Sequence, residues 1–240
     1  MGRFELVQRC WPTGSFRSAE VAQFLSSLAR DCHLSRFETL DNRDFKATAD
    51  SLELLFQAAL DEAPFPAAGA DVDLHGAIGE TDDYVRCDFH TGTKPGQAFI
   101  DHYNVDFGES GIHITADQFR KAVQIVKPFE AFLAELNNED SLDAYTRQQE
   151  LNAFDVPAII RSVHYFDHQM AARMGGVEHC LRAPGHRVER FLQGVLVELV
   201  DGPFEADNPA HLQAQQAVMQ HLGLPILGAP RPLRAEAGDA

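Results

Sequence analysis

Two short stretches of the chain hold residue types that can do chemistry. The first, Gly79–Gly92, reads GETDDYVRCDFHTG and brings Glu80, Asp82, Asp83, Cys87, Asp88 and His90 within fourteen residues. Carboxylates, a thiol and an imidazole are the donors of divalent-metal sites. On a strand, Asp88 and His90 share a face and Cys87 takes the other. Two residues do not complete a set of three or four ligands, and the local sequence does not show where the others come from. The second stretch, HYFDH, sets His164 and His168 four residues apart. On a helix both imidazoles would lie on one face, the spacing zinc hydrolases use, but Tyr165 stands where their glutamate follows the first histidine. A metal-dependent hydrolase built on His164, His168 and an acid such as Asp88 is the enzymatic alternative.

Other catalytic signatures do not form. HGAIGETDD carries Gly76 and Gly79 without a G-x-G-x-x-G pattern or a lysine, and TGTKPG lacks phosphate-loop spacing. No serine sits in a G-x-S-x-G elbow. PGHRVER is explained by a strand alternating Arg187, Glu189 and Phe191. The expectation is a protein that is not an enzyme and needs no metal or cofactor.

Charge gives the stronger signal. The formal net charge is -16. Residues 61–155 hold 19 acidic and 6 basic side chains, while the segments on either side are close to neutral. Charging for solubility alone would spread the excess, whereas a localised acidic face would concentrate it. Such a balance argues against direct nucleic-acid binding and against anionic membrane surfaces, both of which need Lys and Arg. It suits a basic partner protein. Asp82, Asp83, Asp88, Asp101, Asp106 and Glu109 are the candidate contacts, because strands there would gather alternate carboxylates on one surface.

The elements that must position these residues read as α+β. RFELVQRCW (3–11) is a first strand whose two faces are not cleanly apolar and polar. Ser18 caps a helix to about Cys32, with Val21, Phe24, Leu25 and Leu28 as its buried stripe. A second helix is expected from Asp44 to about Leu60, with Phe45, Ala49, Leu52, Leu55, Phe56 and Ala59 inward, stopped by APFPAAG (63–69). Strands at 71–79, 83–91, 97–108 and 111–115 form a meander, with Val85, Cys87 and Phe89 inward. Thr115 and Gln118 make a capping box opening a helix through Val126, which Pro128 interrupts or restarts. Ser141 caps a short helix. VPAIIRSVHYF holds a strand, FDHQMAARMGG a helix stopped by two glycines, and HRVERF with GVLVELVD a closing hairpin. The last helix has Asn208 as cap, Pro209 as first residue and Gly223 as stop.

The pattern predicts one domain over 1–228, an antiparallel meander flanked by helices, and a disordered tail over 229–240. The 45% hydrophobic content and seventeen phenylalanines suffice for a large core. Cys10, Cys32, Cys87 and Cys180 form no C-x-x-C pair and read as buried free thiols in a reducing compartment. MGRFELVQRCW lacks an apolar signal-peptide core, and no apolar run reaches membrane-spanning length, so a cytoplasmic location is expected.

The order of SFRSAEVAQFLSSLA, DVDLHGAIG with DYVRCDFHTG, and GVLVELVDGPFEADNPAHLQAQQAVMQHLG resembles the immunity protein 52 family of bacterial polymorphic-toxin systems. The closing stretch carries most of the likeness, with Phe204, Asp207, Asn208, Pro209 and His211 opening the final helix. YFDHQMAARMGG with VLVEL is also similar to immunity proteins of type VI secretion effectors. The chain departs from the family in its tryptophans, of which Trp11 is the only one. The resemblance implies a non-enzymatic antitoxin that binds and occludes a cognate toxin. The implied target is a nuclease of restriction-endonuclease-like fold, whose basic cleft an acidic surface could fill.

Overall fold

The computed structural model describes residues 4–10, 18–39, 43–62, 71–78, 84–90, 101–107, 114–135, 156–157, 159–205 and 207–224. The stretch APFPAAG (63–69), Ser141, the bound at 228 and the tail 229–240 lie outside the described residues. Among the described residues, ten strands make one antiparallel sheet: β1 Phe4–Cys10, β2 Leu34–Thr39, β3 Asp44–Lys46, β4 Asp71–Ile78, β5 Tyr84–His90, β6 Asp101–Asp106, β7 Glu130–Glu135, β8 Val163–Phe166, β9 Arg187–Phe191 and β10 Gly194–Glu198. Their spatial order is β3-β2-β4-β5-β6-β1-β7-β8-β10-β9. Six helices flank it among the described residues: α1 Ser18–Asp31, α2 Ala49–Glu62, α3 Ala116–Val126, α4 His168–Arg173, α5 Val177–Cys180 and α6 Pro209–His221. The fold is α+β, as expected from the pattern.

Helices α1, α2 and α3 pack on one face, here the front. Val21, Phe24, Leu25 and Leu28 of α1, Leu52, Leu55 and Phe56 of α2, and Phe119 and Val123 of α3 bury against one parity of strand residues. That parity includes Leu6, Phe37, Leu74, Val85, Cys87, Phe89, Tyr103, Val105 and Leu196. At the β8–β10 end the back face is covered too: Phe166, Val195 and Val197 join Met170 of α4, Cys180 of α5 and Val218 of α6 in a second core.

The local signals that set element ends are visible. Thr115 accepts from the Gln118 amide while Gln118 reaches back to the Thr115 amide, the reciprocal cap that starts α3. Asn208 caps α6, with Pro209 next and Gly223 at φ +69° just past its end. The helix α3 ends at Val126, where Lys127 turns left-handed (φ 51°), and the chain past Pro128 enters β7 instead of a further helix.

One expectation needs correction, the start of the second helix. The first strand forms as expected: β1 lies between β6 and β7, and Glu5 through Cys10 are buried on both faces. That position explains its mixed pattern. The helix expected from Asp44 begins at Ala49, and Asp44–Lys46 is an edge strand that sets Phe45 opposite Phe37 of β2. Phe45 belongs to the apolar stripe by spacing, but the stripe crosses a strand–helix junction at Thr48. Gly76 lies inside β4, within the strand expected at 71–79, opposite Phe37, where a Cβ would come 2.9 Å from the Phe37 ring.

The closing hairpin is fastened to the front by Arg120 of α3. Its guanidinium bonds Glu189 of β9 at 2.9 Å and also holds Glu198 of β10, with the Arg120 side chain 14% exposed. Arg120→Ala leaves two carboxylates side by side on adjacent strands. The expected cost is roughly 1.5–3 kcal/mol, the range for hydrogen bonds to charged groups. Urea denaturation of the variant checks it, and a change within error would show that Arg187, which also reaches Glu189 at 2.8 Å, suffices alone.

Candidate functional site

The back face of the sheet centre carries charge where an apolar layer would be expected. β1 contributes Glu5, Val7 and Arg9 to this face, β6 Asn104 and Asp106, β7 Glu130, Phe132 and Ala134, and β8 His164. All are buried; Glu130 is 1% exposed and His164 0%. Arg161, just before β8, is 4% exposed. The strands force this assembly, because residues of one parity on paired strands meet in cross-strand rows.

Most of these polar groups bond to one another, while Asn104 Oδ1 is buried with no hydrogen-bond partner. Arg9 Nη1 donates to Glu130 Oε2 at 3.0 Å. His164 Nε2 lies 3.0 Å from Glu130 Oε1, and His164 Nδ1 accepts from the Arg161 backbone N–H at 3.2 Å. Asn104 Nδ2 donates to Glu5 Oε1. The guanidiniums of Arg9 and Arg161 lie 5.6 and 5.9 Å from the centre of the Phe132 ring, a cation–π arrangement that helps hold two cations out of water.

This geometry decides what the cluster can do. Because Nδ1 of His164 accepts a backbone N–H, its Nε2 must be the proton-bearing nitrogen and donates to Glu130. Burial lowers the pKa of His164, the Glu130 bond opposing it and the two arginines adding to the fall. Burial likewise pulls Arg161 down to about 10. His164 is thus a neutral imidazole with both nitrogens engaged. It has no free lone pair for a metal and none for a substrate proton. The cluster fixes the register of β1, β7 and β8.

The paired-histidine site does not form. His164 lies on β8 and His168 begins α4, so they do not share a helical face. Between them Asp167 accepts from the Met170 N–H at 2.8 Å and caps α4. That cap was readable in the sequence as an Asp before a helix start.

The structure places three of the six acidic candidates, Asp88, Asp101 and Asp106, on strands. Asp82, Asp83 and Glu109 lie outside the described residues. Asp88 of β5 and Asp106 of β6 take back-face positions, but Asp106 is only 8% exposed and does not present a carboxylate to solvent. Asp101 shares the parity of Tyr103 and Val105 and so falls at a front-face position. Sequence reasoning passed over Glu5, Arg9, Glu130 and Arg161 as a set. The signal was a charge inside an apolar run, as in Arg161 within PAIIRSV, which demands a buried partner.

Comparison with known proteins bears on the fold. No family model matches the chain, so the likeness to immunity protein 52 has no family-level support. No curated protein sequence matches it. Among solved structures, the chain is similar to the Pseudomonas aeruginosa T6SS protein PA0821, with a TM-score of 0.56 and 9% identity, over 90% of this chain and 74% of that one. At that identity the likeness shows a shared fold. No helix among the described residues is long and apolar enough to cross a membrane.

Proposed function

We propose that this chain is an immunity protein of a type VI secretion system, which binds and neutralises a cognate secreted toxin without catalysis of its own. The observation that carries the reading is the fold likeness to a T6SS protein over nine-tenths of the chain. The sequence resemblance to immunity proteins supports it. So does the acidic excess of residues 61–155, which suits a basic toxin such as a nuclease. The buried His164–Glu130–Arg9 cluster fits a rigid binding scaffold, since its groups are consumed in holding strands together. Of the candidate contacts, Asp82, Asp83, Asp88, Asp101 and Glu109 remain in the proposal, while Asp106 is 8% exposed and offers little to a partner.

The test is co-expression of the tagged chain with the product of the adjacent open reading frame. A complex that survives purification and rescues growth is the expected result; no complex and no rescue would refute the reading. Within such a complex, Asp82→Lys with Asp83→Lys should weaken binding at least ~10-fold and flatten its salt dependence, because attractive charge has been removed. Unchanged affinity would move the interface off the β4–β5 end.

A further inference from the structure

Two histidines from separate helices meet beside the second core, next to the buried Cys180 and Leu222. His179 of α5 places its Nε2 2.8 Å from the backbone oxygen of His221, the last residue of α6. His221 in turn places its Nε2 3.0 Å from the backbone oxygen of His179. The two rings stack between these bonds, with centres 4.4 Å apart and planes within 8° of parallel. A backbone oxygen can only accept, so each Nε2 carries a proton and each Nδ1 is the nitrogen left to take another. Neither Nδ1 makes a hydrogen bond among the described residues. The His221 oxygen is one of the last carbonyls of α6, which have no partner within the helix, and the His179 ring supplies one. The backbone makes room for that ring at Gly175 (φ +94°), where an added Cβ would lie 2.9 Å from its Cδ2.

We propose that His179 and His221 form an acid-sensitive latch, which joins α6 to α5 while at most one ring is charged and releases the end of α6 when both are. Imidazole is the side chain whose charge ordinarily changes between pH 5 and 8. The first added proton keeps both hydrogen bonds, and one cation beside the C-terminus of the 13-residue α6 is favourable. The second proton sets a like charge against the first at a ring separation of 4.4 Å, and the bonds at the ring edges do nothing to relieve that repulsion. The surrounding charges do not relieve it either. Arg173 ends α4, Arg182 follows α5, and both are cationic and exposed. Glu178 of α5 is bonded to Arg190 of β9, and Glu198 of β10 is held by Arg120 on the front face. His168 and His211, in the first turns of α4 and α6, are the other titratable groups on these elements, and α6 carries no carboxylate. Among the described residues no carboxylate pairs with either ring. Past the latch, the N–H groups of Leu222, Gly223 and Leu224 bond back to Val218, Gln220 and Met219, so release begins with this turn. The inference does not depend on the toxin-binding reading, because it concerns the isolated chain.

The experiment is amide hydrogen exchange by NMR on the full-length protein at pH 7 and pH 5. Rates are expressed as protection factors, so that the intrinsic pH dependence of exchange cancels. Protection at Leu222, Gly223 and Leu224 should fall at least ~10-fold at pH 5, while the amides of β1 and β7 fall less. His179→Gln and His221→Gln each keep a side-chain N–H for the facing carbonyl but leave a single ring to charge. Either one alone should remove the acid loss, whereas two independent titrations would leave part of it in each. His164→Gln should leave the loss in place. In the unaltered chain, about 1 M sodium chloride should restore part of the protection at pH 5, since it screens like charges. The proposal is overturned by unchanged protection between pH 7 and pH 5, by a loss shared equally with β1 and β7, by an acid loss that persists in either single variant, or by no gain with salt.

Discussion

Glu130→Leu should cost about 3–5 kcal/mol of folding free energy, the penalty for breaking a buried ion pair and stranding its partner. Glu130 accepts from Arg9 on one oxygen and from His164 on the other, and it is 1% exposed. Without it, Arg9 keeps its charge in a site with 7% side-chain exposure. The His164 N–H loses its acceptor in a site closed to water. Total stability for a domain is about 5–15 kcal/mol, so the loss is a large share. The urea midpoint at unchanged slope is the measurement. A loss below about 1 kcal/mol would mean that Arg9 and His164 find other acceptors on the back face. Arg9→Met combined with Glu130→Leu should cost less than the sum of the single changes, because the second removes the charge the first would strand.

The same cluster predicts an acid limit. His164 is held neutral, with its pKa lowered from 6.5 chiefly by burial. A histidine lowered on folding binds its proton more readily in the unfolded chain. Its contribution is therefore fully present above about 6.5 and is lost as pH falls from there towards the folded value, at about 1.4 kcal/mol per pH unit. His164→Gln keeps a donor for Glu130 but cannot titrate, so its stability should fall less between pH 7 and pH 5 than that of the unaltered chain. Parallel decline in both would place the acid sensitivity elsewhere.

What could be read from the sequence was local. The alternation of Val85, Cys87 and Phe89 needs only a strand period, and the caps at Thr115 and Asn208 need only a few neighbouring residues. The unread parts depend on partners far along the chain. β1 is a central strand, paired on both edges with strands about a hundred residues away and buried on both faces, so its polarity pattern made no sense alone. Glu130 and His164 meet only because β7 and β8 pair. Counting alone shows that Asp101 and Asp106, five apart on one strand, fall at opposite faces.

Gly194→Ala should destabilise the protein by about 3 kcal/mol or more, at the upper end of overpacking effects. Gly194 opens β10, immediately after the hairpin turn at Leu192, and packs against the end of β8. An added Cβ would sit 2.0 Å from the Phe166 carbonyl oxygen and 2.7 Å from the Asp167 Cα. These are backbone atoms and cannot swing aside as a side chain could. Nor can their segment shift cheaply, for the Asp167 N–H donates to the Phe129 carbonyl at 2.8 Å and its carboxylate caps α4. Separating the strands there would also open the contact of Val195 with Phe166 in the second core. The contrast is Gly202, at φ +96° with nothing within 4 Å of an added Cβ. Its replacement by alanine meets only backbone strain, about 1 kcal/mol. Thermal denaturation should thus lower the melting temperature by about 6–12 °C for Gly194→Ala and by about 2–4 °C for Gly202→Ala. Equal shifts would show that β8 and β10 can part without cost, against the packing of Phe166 and Val195.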